Sequence, residues 1–319
     1  MVVLHLATCA TTMVLPLAGC APSTEGQAST AILAVVSPGT ITEYAISGTR
    51  DLKLIATVET DVDRFANSPV KCLAVHDERL YVVSEELGVG HYALSVYPAR
   101  VTGDLGSVAH VPLPDLRHIG GIAIDSGGLI YLAGTQAGPD GKAVVAVYQI
   151  ESDRSLRLLR TLQGSDTGRY QSVALVDTGQ SKELYVLNDD LVGRPNILRF
   201  DLTNGKDLRA SAVPFATDPG LRGASAIAVD EGILYAANLD DSVDEYAADA
   251  AAATAPAATI RGPETGLANP TALAAYEGRL YAVNYVGMSV TVYHKDARGN
   301  VAPDAAIRAS FPSAVAAGL

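Results

Sequence analysis

The sequence predicts an all-β fold: a six-bladed β-propeller of four-stranded blades, with the first blade closed by the C-terminal strand. Three observations carry the prediction. A pattern recurs every 46–54 residues, each copy holds four short apolar strands, and the last residues match a strand that the first copy lacks.

The repeat is clearest at its second strand, which reads ERLYVVS around Tyr81, LIYLAG around Tyr131, ELYVLN around Tyr185, ILYAAN around Tyr235 and RLYAVN around Tyr281. A sixth copy, AILAVVS, carries Ala34 in the tyrosine position. Between these landmarks lie short alternating or wholly apolar runs separated by Gly, Pro, Asp and Asn, the pattern of strands and turns. In one unit the strands read SVALV, ELYVLN, NILRFDL and LRASAVPF. A helical solenoid would need a 3.6-residue period, and no unit has one.

Two units align closely. Tyr246–Arg261 and Tyr293–Arg308 share Tyr246/Tyr293, Asp249/Asp296, Ala255-Pro256/Ala302-Pro303 and Ile260-Arg261/Ile307-Arg308. The run Ala250–Ala253 favours helix by propensity, but its counterpart Ala297-Arg298-Gly299-Asn300 is a turn, so a connection between strands is expected there. The ends also fit together. AILAVVS is a second strand with no inner strand before it, whereas Pro312–Leu319 matches the inner strand Pro270-Thr271-Ala272-Leu273-Ala274-Ala275. A C-terminal segment completing the first blade would leave no free edge in the ring.

Composition narrows the functions. The 319 residues are 48% hydrophobic, with 29 glycines, 16 prolines and no tryptophan, a globular mixture rich in turns. Lys and Arg total 23 against 35 Asp and Glu, a net charge of −12 that repels phosphate backbones and argues against nucleic acid. Of the three cysteines, Cys9 and Cys20 belong to the N-terminal segment. Cys72 is left alone in the repeat region, so a disulfide framework is not expected and Cys72 reads as a small core residue.

Residues 1–19 are apolar, lack acidic residues and are broken by Pro16, too short a run for the ~20 residues of a membrane span. They read as a signal peptide, although no Lys or Arg precedes the apolar run. Leu17-Ala18-Gly19-Cys20 resembles the lipobox of bacterial lipoproteins. That resemblance implies cleavage before Cys20 and diacylglycerol on its thiol. Ala21 in place of aspartate leans the address toward the outer membrane or cell surface, or a periplasm-facing anchor. Residues 20–30 are small and polar, as a tether would be, and 31–319 form the propeller domain.

The repeat layout over 31–319 resembles bacterial NHL-like and SMP-type six-bladed propellers, including uncharacterised secreted proteins with LYVAN units. Ligands of such propellers sit where the inner strands begin. The repeat projects Lys71, Gly120, Gln171, Ser225, Thr271 and Ser313 to those starts, and Ser37, Ser84, Gly134, Asn188, Asn238 and Asn284 to the ends of the second strands. The ligand-binding candidates are therefore Lys71, Gln171, Asn188, Ser225, Asn238, Thr271 and Asn284, a polar and nearly uncharged set suited to a neutral glycan or a peptide backbone. Loops 85–93, 135–143 and 189–196 are longer than 38–39, 239–242 and 285–289, so three consecutive blades should raise a wall beside a low rim.

No catalytic or metal site is expected, and no cofactor. Gluconolactonase-like propellers hold a divalent ion with carboxylates and asparagines, and hard cations need such oxygen ligands; none of the projected positions is acidic. Amidoglycolate-lyase propellers use axial histidines around zinc, and none of the five downstream histidines is projected to the axis. His91 and His118, with Glu85 or Glu86, lack any ligand motif and read as loop residues. Asp189-Asp190 and Asp240-Asp241 read as turn carboxylates. Gly88-Val89-Gly90-His91-Tyr92-Ala93 fits a dinucleotide pattern but precedes a strand where that site needs a helix. The expectation is a membrane-anchored, non-catalytic binding or interaction module of the bacterial cell envelope, with a glycan, peptide or envelope protein as partner. The alternatives are a metal-dependent hydrolase or lyase of lactonase-like type, and a structural subunit of an envelope complex.

Overall fold

A computed structural model describes residues 30–47, 51–59, 70–86, 90–104, 106–164, 168–189, 195–203, 211–213, 221, 223–249 and 255–319. The segment expected as a signal peptide, Cys20, most of the expected tether and the alanine run at 250–253 lie outside these residues.

Among the described residues, apolar runs of mostly four to nine residues, cut by turns, form 25 strands in six sheets that are antiparallel except where β7 joins the first. Blade 1 contains β1 (Ile32–Ser37), β2 (Thr40–Ser47) and β3 (Asp51–Glu59). Blade 2 contains β4 (Val70–His76), β5 (Arg79–Glu85), β6 (Tyr92–Pro98) and β8 (Ala109–Pro112), with β7 (Gly103–Asp104) between the last two. Blade 3 is β9 (Leu116–Ile124), β10 (Ile130–Gln136), β11 (Ala143–Ile150) and β12 (Leu156–Leu162). Blade 4 is β13 (Arg169–Asp177), β14 (Lys182–Asp189), β15 (Asn196–Asp201) and β16 (Ser211–Val213). Blade 5 is β17 (Ala224–Asp230), β18 (Ile233–Asn238), β19 (Ser242–Ala247) and β20 (Ala258–Arg261). Blade 6 is β21 (Pro270–Tyr276), β22 (Arg279–Asn284), β23 (Ser289–His294) and β24 (Ala305–Arg308).

The last strand, β25 (Ala314–Gly318), pairs antiparallel with β1, from Val36 opposite Ala314 to Ile32 opposite Gly318. It supplies the inner strand of blade 1 and stands between the inner strands of blades 6 and 2, so the ring closes as the repeat predicts. The 47-residue offset also holds in three dimensions, since β20 and β24 occupy equivalent fourth positions. One connection departs from the simple repeat. On its way from β6 to β8 the chain reaches blade 1, where β7 runs parallel to the outer strand β3, with Val58 opposite Gly103.

The core consists of one apolar cluster at each of the six blade interfaces. Each repeat tyrosine fills an interface with the following blade: Tyr131 against Val173 and Leu184, Tyr185 against Ile227 and Leu234, Tyr235 against Leu273 and Leu280, Tyr281 against Leu33 and Val315. Such a ring buries a large apolar body and leaves one hydroxyl to be satisfied. Tyr131 donates to Asp125 Oδ2 at 3.0 Å, which also accepts from Lys182 Nζ of blade 4 at 2.7 Å. In blade 1, where Ala34 replaces tyrosine, the interface with blade 2 is filled from the other side by Tyr97.

Candidate functional site

Four inner strands carry the same irregularity at their first turn. The pairing of β4 with β5 skips Lys71, that of β13 with β14 skips Gln171, that of β17 with β18 skips Ser225, and that of β21 with β22 skips Thr271. A residue left out of a ladder in this way is a β-bulge, which bends the strand and re-aims a side chain. All four line a narrow axial channel of about 110 Å³, together with Gly120 of blade 3 and Ser313 just before β25. The structure thus brings together Lys71, Gln171, Ser225 and Thr271.

The channel is narrow for a reason visible in blade 3. A Cβ on Gly120 would lie 2.4 Å from the Gln171 carbonyl oxygen, and one on Gly121 would lie 2.7 Å from the Val173 nitrogen. Only glycine lets β9 and β13 approach this closely.

Its electrostatics are nearly neutral. Lys71 Nζ, the ring's single cation, lies 2.9 Å from Glu85 Oε2 at the end of β5. The Lys71 ammonium holds the Glu85 carboxyl below its ordinary value against the opposing effect of burial, helped by the Gly90 N–H. Gln171 Nε2 donates to Asp189 Oδ2 at 3.0 Å, and Ser225 donates to the Pro270 carbonyl of the next blade at 2.7 Å. Thr271 Oγ1 is buried without a hydrogen-bond partner among the described residues. Cys72 sits just below the ring, and burial pushes its thiol far above the usual range, so it is not a nucleophile at neutral pH.

Asn188, Asn238 and Asn284 lie one layer away, each at most 2% exposed inside its blade and off the channel lining. Asn284 Oδ1 accepts from the Ala268 N–H at 3.0 Å while its amide donates to Thr291 Oγ1 at 3.0 Å. Asn238 donates to Asp244 Oδ2 at 2.8 Å. The amides of Asn238 and Asn284 thus bond within their own blades, and Asn284 holds the segment that leads into its inner strand.

Around the channel mouth, strand ends set the loop heights. The 137–142 connection of blade 3 is longer than 38–39, 239–241 and 285–288 in blades 1, 5 and 6. Residues 87–89 and 190–194, where the rest of the expected wall falls, lie outside the described residues. His91 is exposed in its loop, while His118, expected in a loop, is exposed within β9. Among the described residues no group of three His, Cys, Asp or Glu is placed to hold a metal.

One constellation was not foreseen. Ser95 Oγ lies 2.9 Å from His110 Nδ1, and His110 Nε2 lies 2.9 Å from Glu86 Oε1. Ser, His and an acid in series are the parts of a nucleophilic triad. Ser95, however, is 0% exposed in the middle of β6, where its hydroxyl meets no substrate. The series is a cross-strand link between β6 and β8, paired at Ser95 and His110.

No family model matches this chain, and no curated protein does. Solved structures do. One, from a nidogen/laminin complex, aligns at 15% identity over 91% of this chain and 98% of its own, with a TM-score of 0.60. A candidate 6-phosphogluconolactonase of Bacteroides uniformis aligns at 16% over 91% and 99%, TM-score 0.54. Another, of Bacteroides fragilis, aligns at 16% over 94% and 86%, TM-score 0.55. At such identities the likeness establishes the propeller fold.

Proposed function

We propose that this chain is a non-catalytic binding module of the bacterial cell envelope, tethered through an acylated Cys20, with its ligand face at the end of the propeller where the inner strands begin. The observation that carries the reading is the ring of bulged side chains. Four blades turn an amide, two hydroxyls and a neutralised lysine toward one axis, and Thr271 brings a buried hydroxyl with no partner among the described residues. A buried polar atom left unpaired favours a ligand or water that satisfies it. Amide and hydroxyl groups without net charge suit a neutral glycan or a peptide backbone.

The test uses the full chain with Cys20→Ser, screened on glycan and peptide arrays, and then Lys71→Met and Thr271→Val against any ligand found. Loss of binding in both variants supports the channel face, and undiminished binding in both places the ligand elsewhere. Detergent phase separation tests the tether, since wild type should enter the detergent phase and Cys20→Ser should not.

The second reading is a lactone hydrolase, and it rests on the two lactonase-named structures among the fold's neighbours. Turnover of 6-phosphogluconolactone by the purified chain, abolished by a chelator, would replace the binding module with that enzyme.

A further inference from the structure

On the same end of the propeller, but off the axis, a cleft of about 490 Å³ opens between blades 6 and 1. That volume lies within the ~300–1,000 Å³ of small-molecule sites. Its chemistry differs from the channel's. One wall is β2, whose residues Thr40, Thr42 and Tyr44 fall on one face by the two-residue period, while Ile41 and Glu43 between them are fully buried on the other. Ser37 adds a further hydroxyl. The opposite wall carries Arg308, the last residue of β24, and then Phe311.

Arg308 is exposed and makes no ion pair or side-chain hydrogen bond among the described residues, and no carboxylate lines the cleft. The acid closest by register, Glu59 opposite Thr40 on β3, stands outside the lining. A guanidinium with no acid partner among the described residues, in a cleft that also holds several hydroxyls, stands out on a chain of net charge −12.

Phe311 is 51% exposed with φ of +45°, a left-handed conformation that a bulky residue adopts only when its surroundings impose it. Its ring lies 6.4 Å from that of Tyr285, itself 48% exposed, at an interplanar angle of 56°. Phe311 in the lining, with Tyr285 beside it, thus holds an exposed aromatic edge on a cleft whose other walls carry hydroxyls, Arg308 and the apolar Val35, Pro38 and Ala309.

We infer that this cleft binds a carboxylate-bearing saccharide of the hexuronate class. Its carboxylate pairs with the fork of Arg308, its ring hydroxyls meet Thr40, Thr42 and Tyr44, and the apolar face of the sugar ring lies on Phe311 and Tyr285. The site goes beyond the axial channel and stands on its own residues.

The experiment is calorimetric titration of the full chain with oligomers of galacturonate, glucuronate and mannuronate, each also as its neutral methyl ester. The acid form of at least one should saturate the protein, with its ester binding at least tenfold more weakly. Arg308→Gln, a surface change that leaves the melting temperature in place, should weaken the acid form at least tenfold and its ester little. Phe311→Ser should weaken both. Absence of saturable binding by all three acids overturns the inference, as does acid binding that survives Arg308→Gln. Acid binding that is lost in Lys71→Met but kept in Arg308→Gln also overturns it, while leaving the axial reading standing.

Discussion

Ring closure by β25 can be tested with two methyl groups. Val315 is 6% exposed and packs against Leu33, Val35, Tyr281 and Val283, at the interface of blades 1 and 6. Val315→Ala removes two methyls, worth about 1.6 kcal/mol as transfer free energy, and leaves a void that adds about 1 kcal/mol where the ring cannot collapse. The expected loss is about 2.5 kcal/mol. Val286 is 66% exposed on the 285–288 loop, so the same substitution there should change stability by no more than about 0.5 kcal/mol. The chain has 14 tyrosines and no tryptophan, so urea unfolding followed by tyrosine fluorescence reads the blade interfaces directly. Equal midpoints for Val315→Ala and Val286→Ala, at unchanged slope, would falsify the closure. The C-terminal residues would then not be an inner strand, and the count of six blades would lose its support.

Three further outcomes follow from packing and charge. Gly121→Ala places its Cβ 2.7 Å from the Val173 nitrogen and should cost about 1–3 kcal/mol by urea midpoint, because the obstacle is backbone. Lys182→Met leaves the Asp125 carboxylate, 1% exposed, without its cation; a loss of about 3 kcal/mol is expected, and a double-mutant cycle with Asp125→Asn should recover a coupling of at least 1 kcal/mol. Glu245 is 2% exposed beside Arg298 of blade 6, and burial, only partly offset by that guanidinium, pushes its carboxyl up to about 7. The folded state therefore holds this proton more tightly than the unfolded one. The resulting stabilisation is full below about pH 4.5 and lost as pH rises toward 7, up to about 3 kcal/mol. Thermal melts of wild type and Glu245→Gln at pH 4.5 and pH 8 check this, and parallel pH dependences would assign the slope to other groups.

The blades were legible because the repeat tyrosines sit at one structural position, and a side chain that must fill an interface has little freedom to change. The channel residues were legible for the same reason, since the alignment that places Thr271 also places Ser225 and Ser313. The role of Asn238 and Asn284 was harder to read. They pair with Ala224 and Pro270 at the starts of the inner strands, but the residue skipped just after each partner is the one that turns to the channel, while the asparagine stays within the blade. Both faces of a blade are buried, so a period of two could not tell these directions apart. The Ser95–His110 link was hidden by the excursion through β7, which sets where β8 begins and therefore which residue meets Ser95. The neutralisation of Lys71 by Glu85 could have been read, because the two flank the paired positions Val70 and Ser84.

The bulges also bear on how such a molecule changes over generations. Lys71, Gln171, Ser225 and Thr271 have no ladder partner in their own blades, so a different side chain at any of them breaks no register within its sheet. Selection can thus vary four of the six axial positions without shifting a strand register, losing only single side-chain bonds such as that of Ser225 to Pro270, while the glycines of blade 3 keep the aperture fixed. Close relatives should be most diverse at these four residues and least diverse at the tyrosines beneath them, so that one architecture carries many specificities with little change in stability.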